Sequence, residues 1–97
     1  MKKTLIASLL ALASISSFAQ SLTATDFRMA EAVAANPATT SLARTMWQLN
    51  TDVPYTVVED YVRVSAKSCV LKERKGESLF RPCMQASMNW LQNKLTN

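Results

Sequence analysis

The sequence predicts an all-α protein, a small bundle of about four short helices that ends in a disulfide-stapled helical hairpin. Three observations support this fold class. After residue 20, apolar residues recur at helical spacing, and the alternation expected of a half-buried strand fails. Prolines and a single glycine divide the chain into segments of helical length. Cys69 and Cys83 each lie seven residues from Gly76, so an antiparallel turn centred there brings the two cysteines level.

The first helix is predicted over about residues 26–35, with Thr23 or Thr25 as its N-cap and Asn36-Pro37 as its end. Its apolar side carries Phe27, Met29, Ala30, Val33 and Ala34. The second helix is predicted over about residues 39–49, with a stripe formed by Leu42, Met46 and Leu49. Trp47 points away from that stripe, so it either packs on a neighbouring element or is exposed.

The third segment is rich in β-branched residues, which local propensity alone would place in a strand. Adjacent pairs such as Val57-Val58 and Tyr61-Val62 break the alternation, and on a helical wheel one half is apolar. Asp52 is the predicted N-cap of this helix, and Gly76 its left-handed stop. The fourth helix runs from about residue 79 or 82 to 95, with Ser78 as its cap. Trp47 and Trp90 could each anchor an interface, but the simpler expectation places Trp90 in the core beside the stripe of Phe80, Met84, Met88, Leu91 and Leu95.

The first nineteen residues follow the plan of a secretory signal peptide. Two lysines precede an apolar run, and Ser17 and Ala19 stand at the −3 and −1 positions of a cleavage site before Gln20. We therefore expect a leader over residues 1–19, one helical domain over residues 20–97, and a periplasmic or secreted location. An oxidising compartment favours a Cys69–Cys83 disulfide. No later segment is apolar enough to span a membrane, so no stable insertion is expected once the leader is cleaved.

Charge is uneven along the rest of the chain. Residues 20–60 carry two basic and five acidic residues, a net charge of −3, whereas residues 61–97 carry seven basic and two acidic residues, a net charge of +5. The candidate partner-binding residues are six cations: Arg63, Lys67 and Arg74 on one arc of the third helix, and Lys72, Lys75 and Arg81 near the hairpin tip. They would suit a protein partner with an acidic surface, although solubility and the helix dipole explain them equally well. No aromatic residues interleave with them for base stacking, which disfavours nucleic acid.

The residues needed for catalysis are scarce. The chain has no histidine, and its single glycine excludes phosphate-binding loops. The adjacent carboxylates of Glu59 and Asp60 splay apart on a helix, which suits a solvated surface better than acid–base chemistry. Met84 and Met88 could bind Cu(I) through their thioethers, but core packing is the simpler interpretation. We expect no enzyme activity and no cofactor.

In its leader, length and helical cysteine layout, the chain is similar to the helical periplasmic immunity proteins of type VI secretion toxins and to secreted phage antiholins. The resemblance implies an exported, non-enzymatic protein that inhibits or regulates a protein partner in the cell envelope, and it carries over no site residues. Two other hypotheses stay open: a small periplasmic stress chaperone, and an envelope-surface structural factor that uses the basic residues electrostatically. The exposed apolar faces of such short helices are also compatible with a homodimer.

Overall fold

A computed structural model describes residues 21–97, in which the chain forms four α-helices and no β-strand. They are α1 (Ala24–Ala34), α2 (Pro37–Trp47), α3 (Tyr55–Arg74) and α4 (Phe80–Thr96). The predicted all-α class and the four-helix order are confirmed. The predicted leader and its cleavage site lie outside the described residues. None of the four helices is long and apolar enough to cross a membrane.

The corner between α1 and α2 is fixed by capping side chains. Thr23 Oγ1 accepts the backbone N–H of Asp26 at 3.2 Å, and Asp26 Oδ2 accepts the N–H of Thr23 at 2.9 Å, which together form a capping box. Asn36 Oδ1 accepts the N–H of Ala38 at 2.8 Å, and Pro37 occupies the first turn of α2. Thr23 is thus the first N-cap, and Asn36-Pro37 both ends α1 and begins α2, two residues earlier than predicted.

The start of α3 differs from the prediction that Asp52 caps it. Pro54 is the N-cap residue, and no side chain donates or accepts a capping hydrogen bond there. The preceding loop is held from the side instead: Trp47 Nε1 donates to the carbonyl of Val53 at 2.8 Å, and Asn50 Nδ2 donates to the carbonyl of Leu95 at 3.1 Å. Proline supplies the extended entry without needing a donor, because a helix's first N–H groups lack partners anyway.

The turn after α3 ends the helix as the single glycine predicted. Gly76 has a φ of +77°, in the left-handed region that favours glycine. The N–H of Gly76 donates to the carbonyl of Glu73 at 3.0 Å, and that of Glu77 donates to the carbonyl of Lys72 at 2.9 Å. This is the two-bond Schellman pattern, and it reverses the chain into α4.

The start of α4 is capped from across the turn rather than by Ser78. The Ser78 hydroxyl donates to the carbonyl of Leu79, whereas Glu73 Oε2 accepts the N–H of Phe80 at 2.9 Å. A carboxylate at a helix N-terminus is favourable because it meets unpaired N–H groups at the positive end of the dipole. The last turn of α3 therefore helps to begin α4.

Helix α3 is the centre of the core, because it packs against each of the other three helices. Its residues Val58, Val62 and Cys69 are the largest fully buried side chains. The predicted disulfide is present: Cys69 and Cys83 are bonded with their Cα atoms 5.6 Å apart, and the bond joins α3 to α4. The core cluster comprises Ala43, Met46, Val58, Val62, Ala66, Cys69, Met84, Leu91 and Leu95.

Several predicted core positions are on the surface instead. Trp90, Phe27 and Met29 are between 41 and 50% exposed, and Leu49 lies beyond the end of α2 with 42% exposure. Phe27 and Met29 are displaced because α1 turns its small residues, together with Asp26, toward α3. Small residues let two helices approach closely, so the most hydrophobic side of a short helix need not be its buried side.

Candidate functional site

Three of the six predicted partner-binding cations contact α1. Arg74 Nε lies 2.7 Å from Asp26 Oδ1, and Lys67 Nζ lies 2.8 Å from Glu31 Oε1. Arg63 Nε donates to the carbonyl of Ala34 at 3.3 Å, at the C-terminal end of α1 where cations are favourable. Residues 26, 31 and 34 of α1 contact residues 74, 67 and 63 of α3 in that order, so the two helices are antiparallel. These cations therefore hold α1 in place.

The Asp26 carboxylate accepts hydrogen bonds on both of its oxygens. The side chain is only 9% exposed and carries the Arg74 guanidinium on one oxygen and the Thr23 N–H on the other. The Thr23 backbone hydrogen bond, and after it the hydrogen bond from Arg74, lowers the pKa of the Asp26 carboxyl below its usual value. The carboxylate thus joins the capping box of α1 to the last turn of α3.

The other three predicted cations lie near the hairpin tip, as expected. Lys75 Nζ is 3.9 Å from Glu77 Oε2, a loose pair between two partly exposed side chains. Within residues 21–97, Lys72 and Arg81 form no ion pair within 4.0 Å, and both are exposed. The tip therefore carries two exposed cations, Lys72 and Arg81, that no carboxylate of residues 21–97 pairs with.

One side of α3 is covered by none of the other helices of residues 21–97. It carries Val57, Val64 and Leu71, spaced by seven residues and therefore aligned along the helix. Val57 is 57% exposed and Val64 is 55% exposed, whereas Leu71 is half-buried. Lys67, Lys72 and Lys75 lie beside this row on the C-terminal half of α3. We name this surface the open face: Val57, Val64, Leu71, Lys67, Lys72 and Lys75.

Two adjoining depressions run along the open face. One, of about 220 Å³, is bounded by the C-terminal half of α1 and by Asp60, Arg63, Val64 and Lys67 of α3. The other, of about 350 Å³, is lined by Val64, Lys67, Ser68, Leu71, Lys72, Lys75 and Glu77. Both include Val64 and Lys67, so together they form one shallow trough. Val64 and Leu71 give the second depression an apolar floor, whereas the first is lined mainly by polar and charged side chains. The second depression has three lysines against one glutamate, and one of these lysines, Lys67, is paired with Glu31 of α1.

An exposed tryptophan stands beside the open face on the α4 side. The Trp90 ring stacks on Tyr61 with a centroid distance of 5.1 Å, and Lys94 Nζ lies 5.5 Å from the Trp90 ring centroid. At 100° per residue, Tyr61 lies about 40° around α3 from Val57 and about 60° from Val64. Half-exposed tryptophans beside an apolar surface are frequent anchors of protein interfaces.

A second apolar groove lies between α2 and α4. It measures about 470 Å³ and is lined by Leu42, Phe80, Arg81, Met84, Gln85 and Met88. Met84 is buried, and both Met84 and Met88 pack in or against the core, as the sequence predicted. Methionine side chains are flexible and adapt to irregular apolar surfaces.

A smaller pocket of about 250 Å³ is formed by Arg44, Trp47, Gln48 and Tyr55. The Trp47 and Tyr55 rings meet edge-on with their centroids 5.8 Å apart, and the Arg44 guanidinium lies 5.9 Å from the Tyr55 ring centroid. Tyr55 Oη donates to Glu59 Oε2 at 2.9 Å. Desolvation first, and the Glu59 carboxylate after it, raises the pKa of the Tyr55 hydroxyl. Trp47 thus packs on a neighbouring element, one of the two alternatives the sequence allowed.

The described residues offer no cluster of metal ligands. Within residues 21–97, no three His, Cys, Asp or Glu side chains lie close enough together to hold a metal ion, and both cysteines are in the disulfide. The arrangement found on α3 is of another kind, apolar side chains with flanking cations, and it suits contact with a macromolecular surface.

Comparison with models of protein families found none that matches the chain, and comparisons with curated proteins and with solved structures likewise found no match. The candidate function therefore depends on the physical properties of the open face.

Sequence reasoning placed Val57 and Val64 on the same apolar half of α3 as the core residues and missed that they form a separate row. The available signal was the spacing of seven from Val57 through Val64 to Leu71. The pattern of one helix shows which residues share a side. It does not show which side a neighbouring helix will cover.

Proposed function

We propose that this chain is an exported, non-enzymatic helical binding protein that inhibits or regulates a protein partner in the cell envelope. The observation that carries the proposal is the open face of α3, where Val57 and Val64 are more than half exposed beside lysines. Aligned apolar side chains on a rigid helix, with charge at their margin, are typical of protein interfaces.

Export is the second part of the proposal. The disulfide between Cys69 and Cys83 fits a protein outside the reducing cytoplasm. The leader predicted over residues 1–19 would direct the chain there, and cleavage would leave Gln20 as the first residue. Mass spectrometry of the protein from a periplasmic extract tests this: a mature chain beginning at Gln20 with an intact disulfide is expected, and a full-length reduced chain in the cytoplasm would contradict export.

Binding is tested with a matched pair of variants. Val64→Asp places a charge in the centre of the open face, whereas Leu49→Asp places one at an exposed apolar residue of the α2–α3 loop. Affinity purification from envelope extract should recover one dominant protein with the wild type and with Leu49→Asp, and much less of it with Val64→Asp. The activity of that protein should change when the purified wild-type chain is added. Equal recovery with both variants would exclude the open face as the binding surface.

A small stress chaperone is the second candidate, because the groove between α2 and α4 is lined by flexible methionines. A chaperone would suppress aggregation of an unfolding client at a stoichiometric ratio, and Met88→Asp would weaken that suppression while Val64→Asp would not. A specific inhibitor would show the opposite dependence on the two variants. The same assay with and without reductant shows whether opening of the disulfide exposes further apolar surface.

A further inference from the structure

We infer that the open face of α3 receives one amphipathic helix of the partner, lying antiparallel to α3, with acidic residues in its N-terminal half. This inference rests on the proposed function and specifies the chemistry of the same surface. The row Val57, Val64 and Leu71 extends over two heptads, the length over which one straight helix can contact another with apolar residues every seventh position.

The shape of the surface favours a single helix as the occupant. The open face lies between α1 on one side of α3 and the Tyr61–Trp90 stack on the other, and the two depressions join at Val64. A convex helix fits a trough with an apolar floor, as in other helix-in-groove complexes. A second copy of this domain would present its own trough to the first, so the shape of the surface disfavours it. Charge does not distinguish the two occupants, because two antiparallel copies would set each tip opposite the other's Asp60, and the test below therefore includes dimer formation.

The direction of the partner helix follows from the charges along the trough. The half nearer the hairpin tip carries Lys72 and Lys75 against Glu77, a net positive charge, whereas the other half carries Asp60 against Arg63. Lys67 lies where the two halves meet and is paired with Glu31, so it adds no net charge to either half. Complementary charge therefore requires acidic residues opposite the tip and none opposite Asp60. A helix tolerates carboxylates best near its own N-terminus. Both requirements are met when the N-terminal half of the partner helix lies beside the tip.

Trp90 gives this arrangement a spectroscopic reporter. It is half exposed and stacked on Tyr61 at the margin of the trough, whereas Trp47 is partly buried and donates its N–H to Val53. A helix on the open face would exclude water from the Trp90 ring and shift its emission to shorter wavelength. In a Trp47→Phe background the signal arises from Trp90 alone.

The test uses designed helical peptides with leucine at every seventh position. One peptide has glutamates in its N-terminal half, a second has the same composition with the glutamates in its C-terminal half, and a third has lysines in place of the glutamates. We expect the first to bind about tenfold or more tightly than either of the others and to shift the Trp90 emission. We expect Val64→Asp, and the double variant Lys72→Glu/Lys75→Glu, to weaken it about tenfold or more, and Leu49→Asp to have no effect. The variants at Val64, Lys72, Lys75 and Leu49 should retain the helical circular dichroism of the protein they are made in, because these four side chains lie outside the core. The Trp47→Phe background loses the hydrogen bond to Val53, so its own spectrum is compared with that of the wild type first.

Three results of the binding and association measurements would overturn the inference. They are equal binding of the first two peptides, binding of the first peptide that Val64→Asp does not weaken, and a concentration-dependent dimer that Val64→Asp dissociates. Failure of the proposed function is a separate result: it would appear as specific binding of the first peptide with no envelope protein recovered through the same face. Recovery of an envelope protein whose contacting segment is not an acidic helix would leave the function standing and refute this inference.

Discussion

Opening the Cys69–Cys83 disulfide should remove a large part of the stability of the domain. The bond closes a segment with a sequence separation of 14, and a loop of about 15 residues contributes about 3 kcal/mol through the entropy of the unfolded chain. A domain of this size has a free energy of unfolding of about 4 to 12 kcal/mol. Losing the contribution of the disulfide, about 3 kcal/mol, would lower the melting temperature by about 12 to 24 °C, at about 4 to 8 °C per kcal/mol.

The assay is urea unfolding followed by circular dichroism, on the oxidised wild type, on the wild type reduced with a thiol, and on Cys69→Ala/Cys83→Ala. Reduction isolates the covalent bond, because it keeps both sulfur atoms in place. The alanine variant should be less stable still, since Cys69 is fully buried and its removal leaves a cavity. Oxidised and reduced proteins whose unfolding free energies agree within about 0.5 kcal/mol would refute the reasoning that the hairpin depends on its staple.

Three further predictions concern the helix contacts. Asp26→Asn should be less stable than wild type at pH 7, and the difference in stability should shrink as the pH falls below about 4. The reason is that the folded protein lowers the pKa of the Asp26 carboxyl below its unfolded value of 3.8, so the stability that this carboxylate contributes at higher pH is lost on acidification. Thermal melts of both proteins across pH 2–7 check this, and a constant difference would contradict it. Val62→Ala should lower the free energy of unfolding by about 2 kcal/mol, and Val64→Ala by less than about 0.5 kcal/mol, because Val62 is fully buried and Val64 is 55% exposed. Chemical denaturation measures both, and equal losses would mean that the open face is covered. Glu73→Ala should lower the free energy of unfolding by about 1 kcal/mol, since it removes the acceptor of the first backbone N–H of α4. Amide hydrogen exchange should then be faster in the first turn of α4, and unchanged exchange there would exclude the cap.

The sequence predicted the helices well because the signals that begin and end a helix are local. Asn36-Pro37 and Gly76 lie at boundaries in the structure, and the equal spacing of the cysteines from Gly76 predicted the disulfide. The caps at Asp52 and Ser78 were wrong for a common reason. A polar residue near a helix start is a candidate cap, but Pro54 begins α3 without one, and α4 draws its acceptor from Glu73 across the turn.

The candidate site was less accessible from the sequence, because it depends on which side of α3 each neighbour covers. Arg63, Lys67 and Arg74 share an arc on the helical wheel, but only the structure shows that α1 supplies Asp26 and Glu31 to two of them. The exposed pair of Lys67 and Glu31 contributes little stability, whereas Asp26 is only 9% exposed in its pair with Arg74. Since α1 lies along this arc of cations, it leaves the row of Val57, Val64 and Leu71 uncovered.

The central claim is that the open face of α3 contacts a protein partner in the envelope, and site-specific photo-cross-linking in cells tests it most directly. A benzophenone side chain is placed at Val64, and at Leu49 as the matched control outside the open face. We expect irradiation to link the chain at position 64 to one envelope protein, through a segment with acidic residues and helical spacing, and position 49 to give no such product. The same product from both positions, or a cross-link from position 64 only to a second copy of this chain, would contradict it.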